Sequence, residues 1–146
     1  MAARSKARKR ALDVLYEADQ RAIPTIDADA PALIDVLNQR IARPGTQVAL
    51  PHYAVQIVTG VSQQQERIDE ALGTFSRGWT LERMPAVDRA ILRVATWEIL
   101  FNEEVPDAVA IDEALALATS LSTEESPSFI NGLLGRISAM GPSLRD

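Results

Sequence analysis

Apolar residues recur every three or four positions along most of the chain, which is the spacing of an amphipathic α-helix. No segment shows the strict alternation of apolar and polar residues that is typical of a half-buried strand. The predicted helices cover residues 5–21, 33–41, 52–75, 80–83, 86–101, 107–118 and 128–140. The pattern therefore predicts an all-α fold with about seven helices.

A connector divides the predicted helices into two groups. Residues 76–85 place glycine and proline around a short helical turn, which is typical of a linking segment. The connector separates an N-terminal helical subdomain, residues 11–75, from a C-terminal helical subdomain, residues 86–146, and a basic arm, residues 1–10, precedes both. Because the whole chain has only 146 residues, we predict that these parts form a single domain.

Two of the predicted helices have features that indicate close packing. Apolar residues cover more than half of the circumference of the helix at 86–101, so we expect it to be packed on more than one side. Glu98 projects onto an apolar face of this helix, and a buried carboxylate needs a partner inside the protein. Gly60 lies within the helix at 52–75 and predicts a close crossing with another helix.

The composition excludes several classes of protein. The hydrophobic content of 47% is enough to form a core, but the chain has no cysteine. No apolar run approaches the roughly 18 to 20 residues of a membrane-spanning helix. The basic N-terminus is not followed by the apolar stretch of a secretory signal. These observations exclude disulfide scaffolds, thiol catalysis and membrane anchoring, and we expect a cytoplasmic protein.

Residues suited to catalysis or metal binding are sparse. The single histidine, His52, has no serine, cysteine or carboxylate at an informative spacing. Asp27 and Asp29 are two acids in a loop without further ligands, and no glycine-rich phosphate-binding motif is present. We therefore predict that the protein is not an enzyme and that it uses no metal or cofactor.

The charges are distributed unevenly along the chain. The formal net charge is −5, yet the first ten residues contain five cations and no acid, so the remainder carries −10. Cations that point in several directions suit contact with the phosphates of a nucleic acid, which gives affinity without reading the bases. The alternative is a solvated tail that only aids solubility. The candidate phosphate-binding residues are Arg4, Lys6, Arg8, Lys9 and Arg10.

Four segments match, in order, the characteristic segments of a known family. They are Ala7–Tyr16, Pro85–Glu98, Val105–Ala114 and Ser126–Leu134. On these segments the chain resembles the NusB family of transcription antitermination factors. The resemblance implies an all-helical fold of two small subdomains. It also implies that the protein, together with the ribosomal protein NusE, binds the boxA element of nascent ribosomal RNA and helps the RNA polymerase antitermination complex to read through terminators.

A protein that selects boxA needs side chains that stack on single-stranded bases or bond to their edges. Tyr16, Phe129 and Asn131 are the candidates for this contact. Tyr16 and Phe129 have the alternative of a core position, and for Asn131 we favour a structural role. The resemblance places Glu125 beside the RNA site, where a negative charge would moderate affinity, although an acid before a helix is also favourable for the helix dipole.

The resemblance also places the NusE surface on the helix at 86–101 and on the helix that follows it. The candidate partner-binding residues are Asp88, Trp97, Phe101 and Asp112. Trp97 and Phe101 share a face, and at this spacing they are more often core residues than interface residues. The acidic remainder of the chain suits a basic partner, and a homodimer in which the basic arm lies on a neighbour's acidic surface is a second state.

Two other functions are consistent with parts of the pattern. A NusB-like domain also precedes the catalytic domain of some RNA cytosine methyltransferases, where it helps to place the RNA. The chain has no room for a domain that binds S-adenosylmethionine, which favours a free-standing factor. The third reading is a helical protein-interaction module whose basic tail is incidental. RNA binding that depends on the basic arm would favour the RNA-binding factor over this module.

Overall fold

The computed structural model describes residues 2–22 and 31–145, and these residues form seven α-helices, one 3₁₀ turn and no strand. The helices are α1 (Ala2–Arg21), α2 (Leu33–Ala42), α3 (His52–Phe75), α4 (Ala86–Phe101), α5 (Asp107–Leu121), α6 (Ser126–Ala139) and α7 (Gly141–Arg145), with the 3₁₀ turn at Leu81–Arg83. The predicted all-α fold is confirmed. Asp27 and Asp29 lie outside the described residues.

Helix α4 lies at the centre of the fold. It packs against α1, α3, α5 and α6, and eleven of its sixteen residues are buried. The wide apolar surface that the sequence shows for this helix is explained by these contacts on several sides. Buried side chains from residues 7–72 and 84–137 form one continuous core, so the two predicted subdomains share their interior.

The crossing of α3 and α4 depends on a glycine. A Cβ atom placed on Gly60 would lie 2.0 Å from the indole Nε1 of Trp97, which is far inside the van der Waals distance. Because Gly60 has no side chain, the Trp97 ring can lie directly against the backbone of α3. This contact confirms the close crossing that the sequence predicts at Gly60.

Several helix limits differ from the predicted ones. Helix α1 begins at Ala2, three residues before its predicted start, so the basic segment is helical. Helix α6 begins at Ser126 and not at residue 128, and the short helix α7 was absent from the prediction. Helix α3 has the predicted limits but contains a non-helical residue, Gln64.

Arg89 ties the connector to the rest of the fold. Its Nη1 donates to the carbonyl oxygens of Leu81, Glu82 and Met84, at 3.1, 3.2 and 2.8 Å. Its Nε donates to Asp19 on α1 at 2.8 Å. One side chain therefore fixes the 3₁₀ turn relative to both α1 and α4.

Within the described ranges, no helix is long and apolar enough to cross a membrane.

Candidate functional site

The basic segment is part of a rigid helix, and its cations point in two directions. Arg4 and Arg8 face the end of α4 and the start of α5, where both contact acidic side chains. Lys6, Lys9 and Arg10 lie on the opposite, solvent-facing side of α1. The helix therefore separates Arg4 and Arg8, which pair with acids near α4 and α5, from Lys6, Lys9 and Arg10 on its other side.

Arg8 is buried, so its prediction as a phosphate-binding residue needs correction. Its side chain is 2% exposed, and its Nη2 lies 2.9 Å from Oε2 of Glu98, which is 1% exposed. Its Nη1 lies 3.3 Å from Glu113 on α5. A phosphate cannot reach this guanidinium while α1 is packed, and Arg8 is the internal partner that the sequence predicts for Glu98.

A hydrogen-bond network extends from this ion pair. The Tyr53 hydroxyl donates to Oε2 of Glu98, and Asn102 Nδ2 donates to the Tyr53 oxygen at 3.1 Å. Burial raises the pKa of Tyr53, and the hydrogen bond to Glu98 and its charge raise it further. Burial alone would lower the pKa of Arg8, but Glu98 outweighs this effect and raises it. Both groups are therefore held in the protonated form.

Arg4, Glu104, Val105 and Val109 line an open pocket between α1 and α5, and the Tyr53 ring lies against Arg4. We name these five residues the α1–α5 corner. Arg4 Nη2 lies 3.3 Å from Oε2 of Glu104. The guanidinium carbon also lies 4.7 Å from the centre of the Tyr53 ring, which is within the range of a cation–π contact. Arg4 is thus half-exposed and already has two partners.

The solvent-facing side of α1 carries the remaining candidates, and we name Lys6, Lys9, Arg10 and Tyr16 the outward face. Lys6 is exposed, Lys9 Nζ lies 2.6 Å from Asp13, and Arg10 Nη2 donates to the carbonyl oxygen of Val48 at 3.2 Å. Tyr16 is 38% exposed, and the opposite side of the helix is packed in the core. Lys6 is three residues from Lys9 and four from Arg10, so these cations share a helix face. Tyr16 follows Lys9 by seven residues, which places it on the same side of α1 about two turns further along.

The other candidate RNA contacts lie on or before α6. Glu125 is exposed immediately before the first turn, and Asn131 is exposed on the helix. Phe129 is half-buried, and its ring meets Trp79 of the connector edge to face with centroids 4.8 Å apart. The candidate RNA contacts are therefore carried by two separate helices, α1 and α6. Both of these helices pack on α3 and α4.

Two of the four candidate partner-binding residues need correction because they are buried. Asp88 has no exposed surface, and its Oδ1 accepts a hydrogen bond from Ser122. Trp97 is only 6% exposed because its ring lies on Gly60. Phe101 is half-buried below the guanidinium of Arg67, and Asp112 is exposed on α5. Among these four residues, Phe101 and Asp112 retain surface that a partner can reach.

The burial of Arg8 and Asp88 could have been predicted from the sequence, because each residue lies in the apolar stripe of its helix. A count of charges does not record this position. Arg8 precedes Ala11, Leu12 and Leu15 by three, four and seven residues, so it belongs to the apolar stripe of α1. Asp88 stands in the same relation to apolar residues of α4. The roles of Tyr53 and Glu104 have no comparable signal, because each depends on a residue in a distant segment.

The fold and the site define a small all-α protein that presents a cationic helix face with an exposed tyrosine at its surface. The chain belongs to the NusB family, whose sequence pattern matches residues 5–139.

The chain matches two curated relatives over nearly their whole length. It is 59% identical to the transcription antitermination protein NusB of Beutenbergia cavernae, covering 100% of this chain and 95% of that protein. It is 56% identical to the transcription antitermination protein NusB of an Arthrobacter species, covering 99% of this chain and 98% of that protein.

Solved structures agree with the fold. NusB of T. maritima is 28% identical and superimposes with a TM-score of 0.77, covering 97% of this chain and 95% of that one. The antitermination factor NusB that was crystallised with NusE and double-stranded RNA has a TM-score of 0.76 over 95% of this chain and 98% of that one. At 21% identity, the second likeness supports the fold alone.

Proposed function

We propose that this protein is an RNA-binding transcription antitermination factor that acts with NusE. It binds the boxA element of nascent ribosomal RNA transcripts and supports read-through by RNA polymerase, in the cytoplasm and without catalysing a reaction. Its relatives that match over nearly their whole length carry the name of antitermination proteins. This favours a free-standing factor over the RNA-placing domain of a methyltransferase.

The outward face of α1 is the observation that carries this proposal. Three cations and an exposed tyrosine lie on one side of a helix whose other side is anchored in the core. The cations supply sequence-independent attraction to phosphates, and the tyrosine ring supplies a surface on which a single-stranded base can stack. Phe129 and Asn131 are retained as secondary contacts near the start of α6, and Glu125 as a negative charge beside them that moderates affinity.

Partner binding uses a different part of the molecule. Asp112 is exposed on α5, next to the exposed Ala116 and the exposed Ala108 and Val109 one turn away, and the chain outside residues 1–10 carries a net charge of −10. The net negative charge of this part of the chain attracts a basic ribosomal protein during encounter, and Asp112 places one carboxylate among exposed apolar residues of α5. Phe101, half-buried at the end of α4, is retained as an apolar contact with the partner, and a homodimer would use acidic residues of the same part of the chain.

The test is binding of a boxA RNA oligonucleotide and a scrambled oligonucleotide at two salt concentrations, with and without NusE. The variant replaces Lys6, Lys9 and Arg10 with glutamine, and the matched control replaces three exposed arginines of other segments, Arg43, Arg77 and Arg83. We expect the variant alone to weaken boxA binding. Its salt slope should flatten by about two, since each lost phosphate contact on a single strand contributes roughly 0.7.

Either of two results would contradict the proposal. The first is equal binding of both oligonucleotides by the wild-type protein in the presence of NusE. The second is an equal loss of affinity in the variant and in the matched control, which would mean that RNA-binding affinity depends only on the total charge of the protein.

A further inference from the structure

The exposed ion pair at the α1–α5 corner is held in place by buried groups. Glu104 is 74% exposed and Arg4 is 39% exposed, so both charges face solvent. The backbone N–H of Glu104 donates to Oδ1 of Asn102 at 3.1 Å. Asn102 in turn bonds to Tyr53, whose ring lies against the Arg4 guanidinium. One network therefore fixes both the loop that presents Glu104 and the ring on which Arg4 lies.

This arrangement neutralises a cation that faces solvent and occupies one of its donor nitrogens. The carboxylate of Glu104 accepts from Nη2 of Arg4, which is one of the guanidinium groups that a phosphodiester would use. An exposed ion pair is weak and is screened by salt, so a phosphate can displace it. The Tyr53 ring keeps the guanidinium at the corner, whichever anion it binds.

We propose that Glu104 is an internal competitor for RNA phosphate at Arg4. In the free protein Glu104 neutralises Arg4, and bound RNA must replace this carboxylate before Arg4 contributes to affinity. The inference rests on the proposed RNA-binding function and adds Glu104 as a residue that sets the affinity for RNA. Arg4 thereby differs from the outward face, where Lys6 is exposed and can meet a phosphate directly.

The variant Glu104→Gln removes the competing charge and keeps the size of the side chain. We expect boxA RNA to bind roughly two- to fivefold more tightly at low salt, which is the range that exposed ion pairs cover. The salt slope should steepen by about 0.7, because Arg4 then gains one phosphate contact. The readout is fluorescence anisotropy of a labelled boxA oligonucleotide with the full chain.

Two further variants isolate the effect. Glu103→Gln is the matched control, because Glu103 is the exposed neighbour of Glu104 and the change in net charge is the same. Arg4→Gln combined with Glu104→Gln tests whether the gain passes through Arg4. We expect Glu103→Gln to leave the salt slope unchanged and the double variant to lose the gain of Glu104→Gln.

Equal effects of Glu103→Gln and Glu104→Gln would overturn the inference, and so would a gain that persists in the double variant. Both results leave the proposed function intact if boxA still binds better than the scrambled oligonucleotide. Absence of boxA preference in every protein would instead overturn the proposed function and the inference together. Thermal unfolding of each variant verifies that the fold is retained.

Discussion

The Arg8 guanidinium on α1 and the Glu98 carboxylate on α4 form a two-pronged ion pair inside the protein. Arg8 Nε lies 3.0 Å from Glu98 Oε1, and Arg8 Nη2 lies 2.9 Å from Oε2. Tyr53 also bonds to this carboxylate. The pair joins the helix that carries the outward face to the helix at the centre of the fold.

Removing one member of this pair should destabilise the protein strongly. We expect Arg8→Met to lower the free energy of unfolding by about 3–5 kcal/mol, because it leaves a buried carboxylate without its main partner. Combining Arg8→Met with Glu98→Gln should cost less than the sum of the two single changes. Urea unfolding followed by circular dichroism measures these values, and a loss below about 1 kcal/mol for Arg8→Met would contradict the assignment.

Gly60→Ala should be destabilising because its new methyl group would overlap the Trp97 ring. We expect a loss of about 2–3 kcal/mol, since this rigid ring lies 2.0 Å from the position that the new Cβ atom would take and cannot move without disturbing the core. Gly73→Ala on the same helix is the control, because its methyl group meets nothing within 4 Å. Gly73→Ala should leave stability unchanged or raise it by up to about 1 kcal/mol. Thermal unfolding that ranks the two variants in the reverse order would refute the close crossing.

Tyr53 should make stability sensitive to alkaline pH. Its pKa is raised from the ordinary value of 10.0, so above that pH the unfolded chain loses the phenolic proton more readily than the folded protein does. Stability should therefore fall as the pH rises above about 10, and Tyr53→Phe should remove this part of the decline. Urea unfolding across this range tests it, and parallel pH profiles for the two proteins would exclude the effect.

Tyr16 should contribute to RNA binding through its ring and not through its hydroxyl. A base stacked on an aromatic side chain contributes about 1–3 kcal/mol, so Tyr16→Ala should weaken boxA binding by roughly 5- to 150-fold. Tyr16→Phe keeps the ring and should bind as the wild-type protein does. Anisotropy titrations compare the three proteins. Equal binding of Tyr16→Ala and wild type would remove this residue from the RNA surface.

Asp88 and Asp112 should respond differently to substitution. Asp88 is buried, so Asp88→Ala should lower stability by about 1–3 kcal/mol through loss of the bond from Ser122. Asp112 is exposed, so Asp112→Ala should change stability by less than about 0.5 kcal/mol and should weaken NusE binding. Calorimetry with NusE distinguishes the two roles, and undiminished NusE binding by Asp112→Ala would place the partner elsewhere.

The fold was predictable to a large extent because helical periodicity is a local property. The spacing of apolar residues located the long helices, and the interior Gly60 indicated a helix crossing before its partner, Trp97, was known. The limits of α1, α5 and α6 differ from the predicted ones by two or three residues, because helix ends fray and the spacing of apolar residues does not define them.

The candidate site was less predictable because the partners of its charges are distant in the sequence. Counting cations placed Arg4, Arg8 and Lys6 in one group, whereas the fold assigns them a surface pair, a buried pair and an exposed position. The phase of Arg8 in the apolar stripe of α1 was a usable signal. The contact between Arg4 and Glu104 joins residues 100 positions apart, and no local pattern in the sequence indicates it.

The separation of Arg8 and Glu98 also has a consequence for synthesis. The two residues are 90 positions apart, so α1 leaves the ribosome well before the carboxylate that anchors it has been made. At about 5–20 residues per second, the 90 positions from Arg8 to Glu98 take roughly 5–18 s to synthesise. During that time the apolar stripe of α1 lacks α4, one of the helices that cover it in the folded protein. The ion pair that joins α1 to the centre of the fold can therefore form only after α4 has been synthesised.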